Sequence, residues 1–239
     1  MKKIISFSLY GYCDESFNRR WTGSNYRNPK TTMYVYGALE NACIAKKVYP
    51  GWTCRFYCDK SIPDSIINKL IDLDSEIVFK DQINGVWEKM FWRYLPAYEN
   101  DVSAFISRDT DSRLSLREAH AVNEWMDSNK DLHSIRDSYA HIRRMQGGMW
   151  GYKGKGLDME VFNEFLYIKH KNFNKHYGLN QDFLTECVYD PDSIMIHDND
   201  HHFDDESPLK LLRFEDDYIG SGHVGHIADG RKYCKDKLL

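Results

Sequence analysis

The sequence predicts an α/β fold: a mostly parallel sheet with helices on both faces, continued by a smaller and less regular second half. Three observations carry this. Strand-like and helix-like segments alternate through the first half. The strand-like segments are short apolar runs bounded by turn residues. An acidic pair follows directly on the fourth of them, and sheets of this kind bind ligands just beyond the carboxyl ends of their strands.

Residues 4–9, Ile-Ile-Ser-Phe-Ser-Leu, read as the first strand. A polar stretch over 10–30 follows, long enough to be a lid or binding loop. Residues 31–48 read as a helix with Tyr36, Leu39 and Cys43 at helical spacing, stopped by Pro50-Gly51. Residues 53–58 read as the second strand, and 63–73 as a helix with Pro63 in its first turn. Glu76-Ile-Val-Phe79 reads as the third strand, 86–98 as an aromatic helix and 102–107 as the fourth strand. Ser115-Leu-Arg-Glu118 is a capping box that opens a further helix. Beyond it, 157–169 and 180–188 read as helical and Ile194-Met-Ile-His197 as a short strand. The polar tail from about 203 has no clear pattern.

The composition narrows the function classes. The 239 residues are 42% hydrophobic and 28% charged, enough apolar material for a sizeable core. The formal net charge is −4 with no lysine- or arginine-rich run, so a nucleic-acid face finds no support. No stretch is long and apolar enough to span a membrane. The N-terminal apolar run is too short for a signal peptide and suits a buried strand. Cys13, Cys43, Cys54, Cys58, Cys187 and Cys234 show no paired zinc spacing, and six free thiols in a reducing, cytoplasmic compartment are expected. Aromatics reach 14%, with 16 tyrosines. Some of these rings either fill the core or line a site for flat ligands.

The chemistry-bearing segment is Arg108-Asp109-Thr110-Asp111-Ser112-Arg113. Two carboxylates one residue apart at a strand end can hold a magnesium or manganese ion, both of which prefer oxygen ligands. Such an ion bridging two phosphates stabilises the charge that leaves with a diphosphate. Arg108 and Arg113 can hold the carboxylates or face phosphate oxygens. A bare Asp-x-Asp is a weak signal, because acids are welcome ahead of any helix N-terminus.

The run Ile106-Ser-Arg-Asp-Thr-Asp-Ser-Arg113, with Arg117-Glu118, Ala121-Val122 and Glu124-Trp125, resembles small glycosyltransferases of the GT-A type, found in bacteria and in large DNA viruses of algae. Tyr36-Gly37-Ala38, Asn41-Ala42, Tyr49-Pro-Gly-Trp52, Phe91-Trp92-Arg93, Arg136-Asp137, His141, Gly147-Gly-Met-Trp-Gly151 and Tyr177-Gly-Leu-Asn-Gln-Asp-Phe-Leu184 fit in the same order. Ser138-Tyr139 departs from the histidine and proline expected there. The resemblance spans about residues 4–200 and implies a GT-A (Rossmann-like) fold and a Mn2+ or Mg2+ ion. It also implies a nucleotide-sugar donor (a UDP-sugar, or a GDP-sugar) and a glycan or glycolipid acceptor. A single domain over 1–239 then divides into a nucleotide-binding half (1–113), an acceptor-side half (114–202) and a tail (203–239). If the chain is viral, the compartment is the host cytoplasm.

On this reading Asp109 and Asp111 bind metal and donor, with His197 as a further metal ligand. His197 is otherwise a structural histidine beside Asp198, Asp200, His201 and His202. Arg93, Arg108 and Arg113 face the diphosphate. Tyr10 either stacks on the base or is a rim aromatic. Gly147 and Gly148 either let the backbone approach the donor or form a tight turn. Asp182, and secondarily Asp137, are candidates for the residue acting on acceptor or donor sugar. For Asp182 the plain alternative is a first-turn acid facing the helix dipole. Two rival readings remain: a phosphohydrolase of the haloacid dehalogenase kind, and a non-catalytic nucleotide- or glycan-binding domain on the same fold.

Overall fold

The structure is a computed structural model that describes residues 1–11, 30–81, 87–154, 156–165, 178–200 and 203–211. Most of the expected lid over 10–30, together with Cys13, Cys234, His201, His202 and most of the tail, lies outside these residues.

Seven strands form one mixed sheet: β1 (Lys2–Leu9), β2 (Thr53–Cys58), β3 (Glu76–Phe79), β4 (Val102–Arg108), β5 (Leu132–Arg136), β6 (Met149–Tyr152) and β7 (Ile194–Asp198). Their spatial order is β3-β2-β1-β4-β6-β5-β7. The first four run parallel to one another, β6 is antiparallel to both neighbours, and β5 and β7 are parallel. The α/β expectation therefore holds, with a mostly parallel sheet of Rossmann-like kind. The strand order reverses between β1 and β4, so their carboxyl ends open a crevice at a topological switch point.

Alternation along the strands sends side chains to both faces. Ile5 and Phe7 pack with α1 (Lys30–Val48), α2 (Asp64–Asp72) and α3 (Leu116–Asp127) on one face. Ile4, Phe105 and Trp150 pack on the other with Phe91, Tyr94, Phe162 and Phe183. Phe7 stacks on Phe56 of the neighbouring strand with ring centroids 4.8 Å apart. The capping box closes as expected, with Ser115 Oγ accepting from the Glu118 amide at 3.2 Å.

Two expectations need correction. The aromatic segment expected as a helix over 86–98 is instead two 3-10 turns, Glu88–Met90 and Trp92–Tyr98. Pro96 lies inside the second turn, and a proline lacks the N–H an α-helix needs there. The second half is more regular than expected, because β5 and β6 were not legible. β5 carries His133, Ser134 and Arg136, all fully buried, so its polarity hides it. β6 contains Gly151, where a Cβ would meet the Phe105 carbonyl oxygen at 2.8 Å. The remaining helices, α4 (Met159–Asn163) and α5 (Leu179–Phe183), are short; a π-helical turn Leu184–Val188 extends the latter.

Cys43, Cys54, Cys58 and Cys187 are free thiols, as expected. Burial pushes the Cys54 and Cys58 thiols up to about 12, which makes them poor metal ligands. No helix among the described residues is long and apolar enough to cross a membrane.

Candidate active site at the carboxyl end of the sheet

Asp109 follows β4 directly, beside the end of β1, and so stands at the switch point. Its carboxylate is half exposed and forms an ion pair with the buried Arg93 guanidinium, which also donates to the Arg108 carbonyl at 3.4 Å. Arg93 sits at the start of the second 3-10 turn, and its amide donates to Ser8 Oγ of β1 at 3.1 Å. Burial works against the Arg93 charge, but Asp109 more than offsets this and holds the guanidinium protonated.

Asp111 is more enclosed. Burial, and then repulsion from Asp109, push its carboxyl up to about 7, while its own amide, Arg93 and Arg113 pull the other way. Enclosure is thus the main cost of charging Asp111, and the neighbouring Asp109 adds to it. The Tyr34 hydroxyl of α1 hydrogen-bonds Asp111, and burial together with the two aspartates raises its pKa far above the ordinary range.

Two glycines make this crowding possible. A Cβ on Gly148 would overlap the Asp109 carboxylate, and one on Gly147 would overlap the Asn180 amide and approach Arg93 and Tyr94. The Gly147 carbonyl accepts from Ser107 Oγ of β4 at 2.8 Å. The loop between β5 and β6 is therefore fastened against the acidic strand. The glycines form the tight turn ahead of the buried Trp150, closed by the Met149 amide on the Gln146 carbonyl, and the same turn brings its backbone close to Asp109.

A further acid stands on the other side of β1, at the end of β2. Asp59 follows β2 and accepts from Lys89 Nζ at 2.7 Å, from the Gly11 amide at 3.2 Å and from the Ser61 amide at 3.0 Å. Burial opposes its charge, yet Lys89 and Ser61 hold its carboxyl below the usual range. Lys89 also lies 5.5 Å from the Tyr10 ring, whose edge meets Trp92 at 6.0 Å. Tyr10 thus borders the same crevice. Asp59, Lys89, Tyr34 and Asn180 were missed in the sequence. Asp59 alone carried a usable signal, since it follows its strand as Asp109 follows β4.

Several expected residues do not fit the roles given them. Arg108 points into the protein: it pairs with Glu118 at 3.1 Å, and Tyr49 donates to the same carboxylate at 2.9 Å. Arg113 is likewise buried, paired with Glu40 and donating to the Thr110 and Ser112 carbonyls at 3.1 Å. Both arginines build the acidic turn from behind; neither faces a ligand. We expect Arg108→Ala to cost about 3–5 kcal/mol of stability, because it leaves Glu118 buried without its charge partner. Urea unfolding checks this.

His197 lies on β7, at the far edge of the sheet from the acidic pair. Its Nδ1 meets His133 Nε2 at 3.0 Å and its Nε2 meets Glu124 at 2.8 Å, so neither ring nitrogen is open to a metal held by Asp109 and Asp111. Asp137 is also internal. It accepts from Arg117 at 2.7 Å and from Asn199 at 2.7 Å, two strands away from β4, which does not suit a base meeting an acceptor hydroxyl. Asp182 lies on α5, two residues after Asn180, with its carboxylate 3.0 Å from Arg143. Asn180 itself donates to Tyr94 at 2.9 Å beside Gly147. The helix brings Asp182 near the glycine loop without placing it on the acidic pair.

The buried histidines have a consequence for stability. Burial, and then His197, Arg108 and Lys153, hold His133 neutral; burial lowers His197 as well, against the pull of Glu124. An unfolded histidine titrates near 6.5, so this stabilisation is complete above about pH 6.5 and is lost as the pH falls below it. The raised Asp111 carboxyl acts in the opposite sense over part of that range. The difference between wild type and His133→Phe isolates the histidine term. Below about pH 6.5 the wild type should lose up to about 1.4 kcal/mol per pH unit more than the variant, read from urea midpoints.

Comparison with models of known families and with curated proteins finds no match to this chain.

Proposed function

We propose that this protein is a metal-dependent glycosyltransferase of the GT-A kind, moving a sugar from a nucleoside-diphosphate donor to a glycan or other hydroxyl acceptor. The observation that carries this reading is the neighbouring carboxylate pair, half-exposed Asp109 and more enclosed Asp111, at the switch point between β1 and β4.

The donor set fits a hard divalent cation. Asp109 is half exposed, Asp111 is crowded by negative charge, and oxygen is the only ligand type either offers. Among the described residues no third histidine, cysteine or acid joins them in a metal-holding group. Such a site suits Mn2+ or Mg2+, which take one or two carboxylates and complete their shell with phosphates and water. Bound there, the ion would neutralise charge developing on a departing diphosphate.

The protein's own groups divide the remaining work. Arg93 holds the Asp109 carboxylate and keeps a cation beside the phosphates. Tyr34 orients Asp111. The Gly147-Gly148 turn lies against Asp109 and limits where its carboxylate can go. Tyr10, Asp59 and Lys89 border the crevice where a base would lie. Asp182 remains the candidate for contact with the sugar or the acceptor. Among the described residues, Lys89 is committed to Asp59 and Lys153 to backbone carbonyls of the Trp125–Ser128 turn, so neither supports the phosphohydrolase reading.

Calorimetric titration with UDP- and GDP-sugars in the presence of manganese tests the proposal. Wild type should bind at least one of them, and Asp111→Asn should weaken that binding about 100-fold. Failure of every donor to bind, or binding indifferent to Asp111→Asn, would reject it.

A further inference from the structure

After β7 the described chain turns back and lies along the sheet edge. The Leu209 amide donates to the Ile196 carbonyl at 2.8 Å and the Asp198 amide to the Leu209 carbonyl at 2.9 Å, so residues 203–211 form a strap with one parallel bridge to β7. Near its start the strap closes on two arginines. Phe203 lies 4.8 Å from the Arg136 guanidinium and 4.6 Å from that of Arg144. Glu206 binds both, reaching Arg144 at 3.0 Å. Asp205 binds Arg144 through both oxygens, at 3.0 and 2.7 Å. Tyr189 completes the cage, its hydroxyl accepting from Arg144 at 3.1 Å and donating to Glu206 at 2.9 Å.

Arg144 belongs to the loop between β5 and β6, three residues before Gly147. Its carbonyl is held by Arg136 at 3.1 Å and by Ser134 Oγ at 3.2 Å. Met145 behind it is fully buried, and the Met149 amide closes the turn on the Gln146 carbonyl at 3.0 Å. A continuous set of contacts thus runs from the strap, through Arg144, to the glycine turn whose Gly148 lies against Asp109.

We propose that the 203–211 strap is a positioning element for the acidic site, acting through Arg144 on the Gly147-Gly148 turn. Phe203, Asp205 and Glu206 touch neither carboxylate of the pair. They restrict the loop whose backbone does. Glycines give a turn freedom that something must remove, and a caged guanidinium three residues away supplies that restraint. The consequence for donor binding rests on the proposed function; the restraint on the loop does not.

Backbone hydrogen exchange tests the restraint directly. In Phe203→Leu/Asp205→Asn, amides of residues 144–149 should exchange about tenfold faster, while those of β1 and β4 stay at wild-type rates. Phe203→Tyr, which keeps the ring, should restore the slow exchange. Faster exchange confined to the strap, with 144–149 unchanged, would overturn the proposal. If the double variant unfolds globally, Tyr189→Phe removes a single hydroxyl from the cage and the same comparison decides. In parallel, the dissociation constant for a manganese-dependent donor should rise in the loosened variants. If wild type binds no donor at all, the glycosyltransferase reading fails while the exchange result still judges the strap.

Discussion

The Gly148→Ala variant should still fold, with reduced stability, and lose about 100-fold in donor affinity. The expectation comes from one contact. A Cβ at this position would sit 2.6 Å from Cγ of Asp109 and closer still to one carboxylate oxygen, with the Asp109 amide nitrogen at 3.3 Å. Gly148 does not have a left-handed φ, so its backbone accepts alanine without strain. The atom in the way is the end of a half-exposed side chain, which can swing toward solvent. The fold therefore survives, but with a lowered thermal midpoint, because the buried Arg93 guanidinium loses its charge partner. Swinging out separates the carboxylate from Arg93 and from its partner Asp111. A cation site built on two carboxylates loses one of them. Calorimetry with manganese and a UDP-sugar, alongside thermal unfolding, checks both halves. Unchanged affinity would mean that the approach of this backbone to Asp109 has no part in binding.

That contact also shows what the sequence could and could not disclose. The parallel half of the fold was legible because β1, β2, β3 and β4 are apolar runs with helices between them, and periodicity reports burial well when burial is apolar. β5 was not legible because its burial is partly polar, and β6 because it is only four residues long with Gly151 inside it. His133 stacks on Trp125 with ring centroids 5.2 Å apart, and Arg136 is satisfied by Asp198 at 2.8 Å. Partners that make such residues tolerable inside come from elsewhere in the chain, and no local window contains them.

The site divides in the same way. Asp109 and Asp111 could be singled out because they follow an apolar strand at once. Arg108 and Arg113 resembled phosphate ligands by being neighbours of the pair. Their true partners, Glu118 and Glu40, lie ten and seventy-three residues away. An arginine beside an acidic motif has two chemically equal uses, and only the fold decides between them. His197 failed for a related reason: a histidine at a strand end looks like a ligand until its two nitrogens are seen to meet His133 and Glu124.

Gly37→Ala should be the more damaging glycine substitution, costing about 3 kcal/mol of stability. Gly37 lies within the nineteen-residue helix α1. In an exposed helix interior, replacing glycine by alanine stabilises by about 1 kcal/mol, so the expected sign is reversed here. The reversal follows from what α1 packs against. A Cβ on Gly37 would overlap the Thr110 carbonyl oxygen and lie 2.6 Å from Arg113 NH1 and 3.0 Å from the Thr110 carbonyl carbon. Unlike the Asp109 side chain, this is backbone, and it is fixed on both sides. Along the same helix face, Glu40 pairs with Arg113, and Asn41 donates to the Ser112 carbonyl at 2.9 Å and accepts from the Leu114 amide at 3.0 Å. Contacts from Gly37, Glu40 and Asn41, on adjacent turns of the helix, thus clamp the segment that carries both aspartates. Backing the helix away by the width of a methyl group would break the Asn41 bonds, which bury polar atoms and are costly to leave unmade. Thr110 stands between Asp109 and Asp111, so whatever protein still folds should bind manganese and donor poorly as well. Urea unfolding read together with calorimetry on the folded fraction tests this. A gain of about 1 kcal/mol instead, the ordinary helix-propensity outcome, would show that α1 does not press on the acidic turn at Gly37.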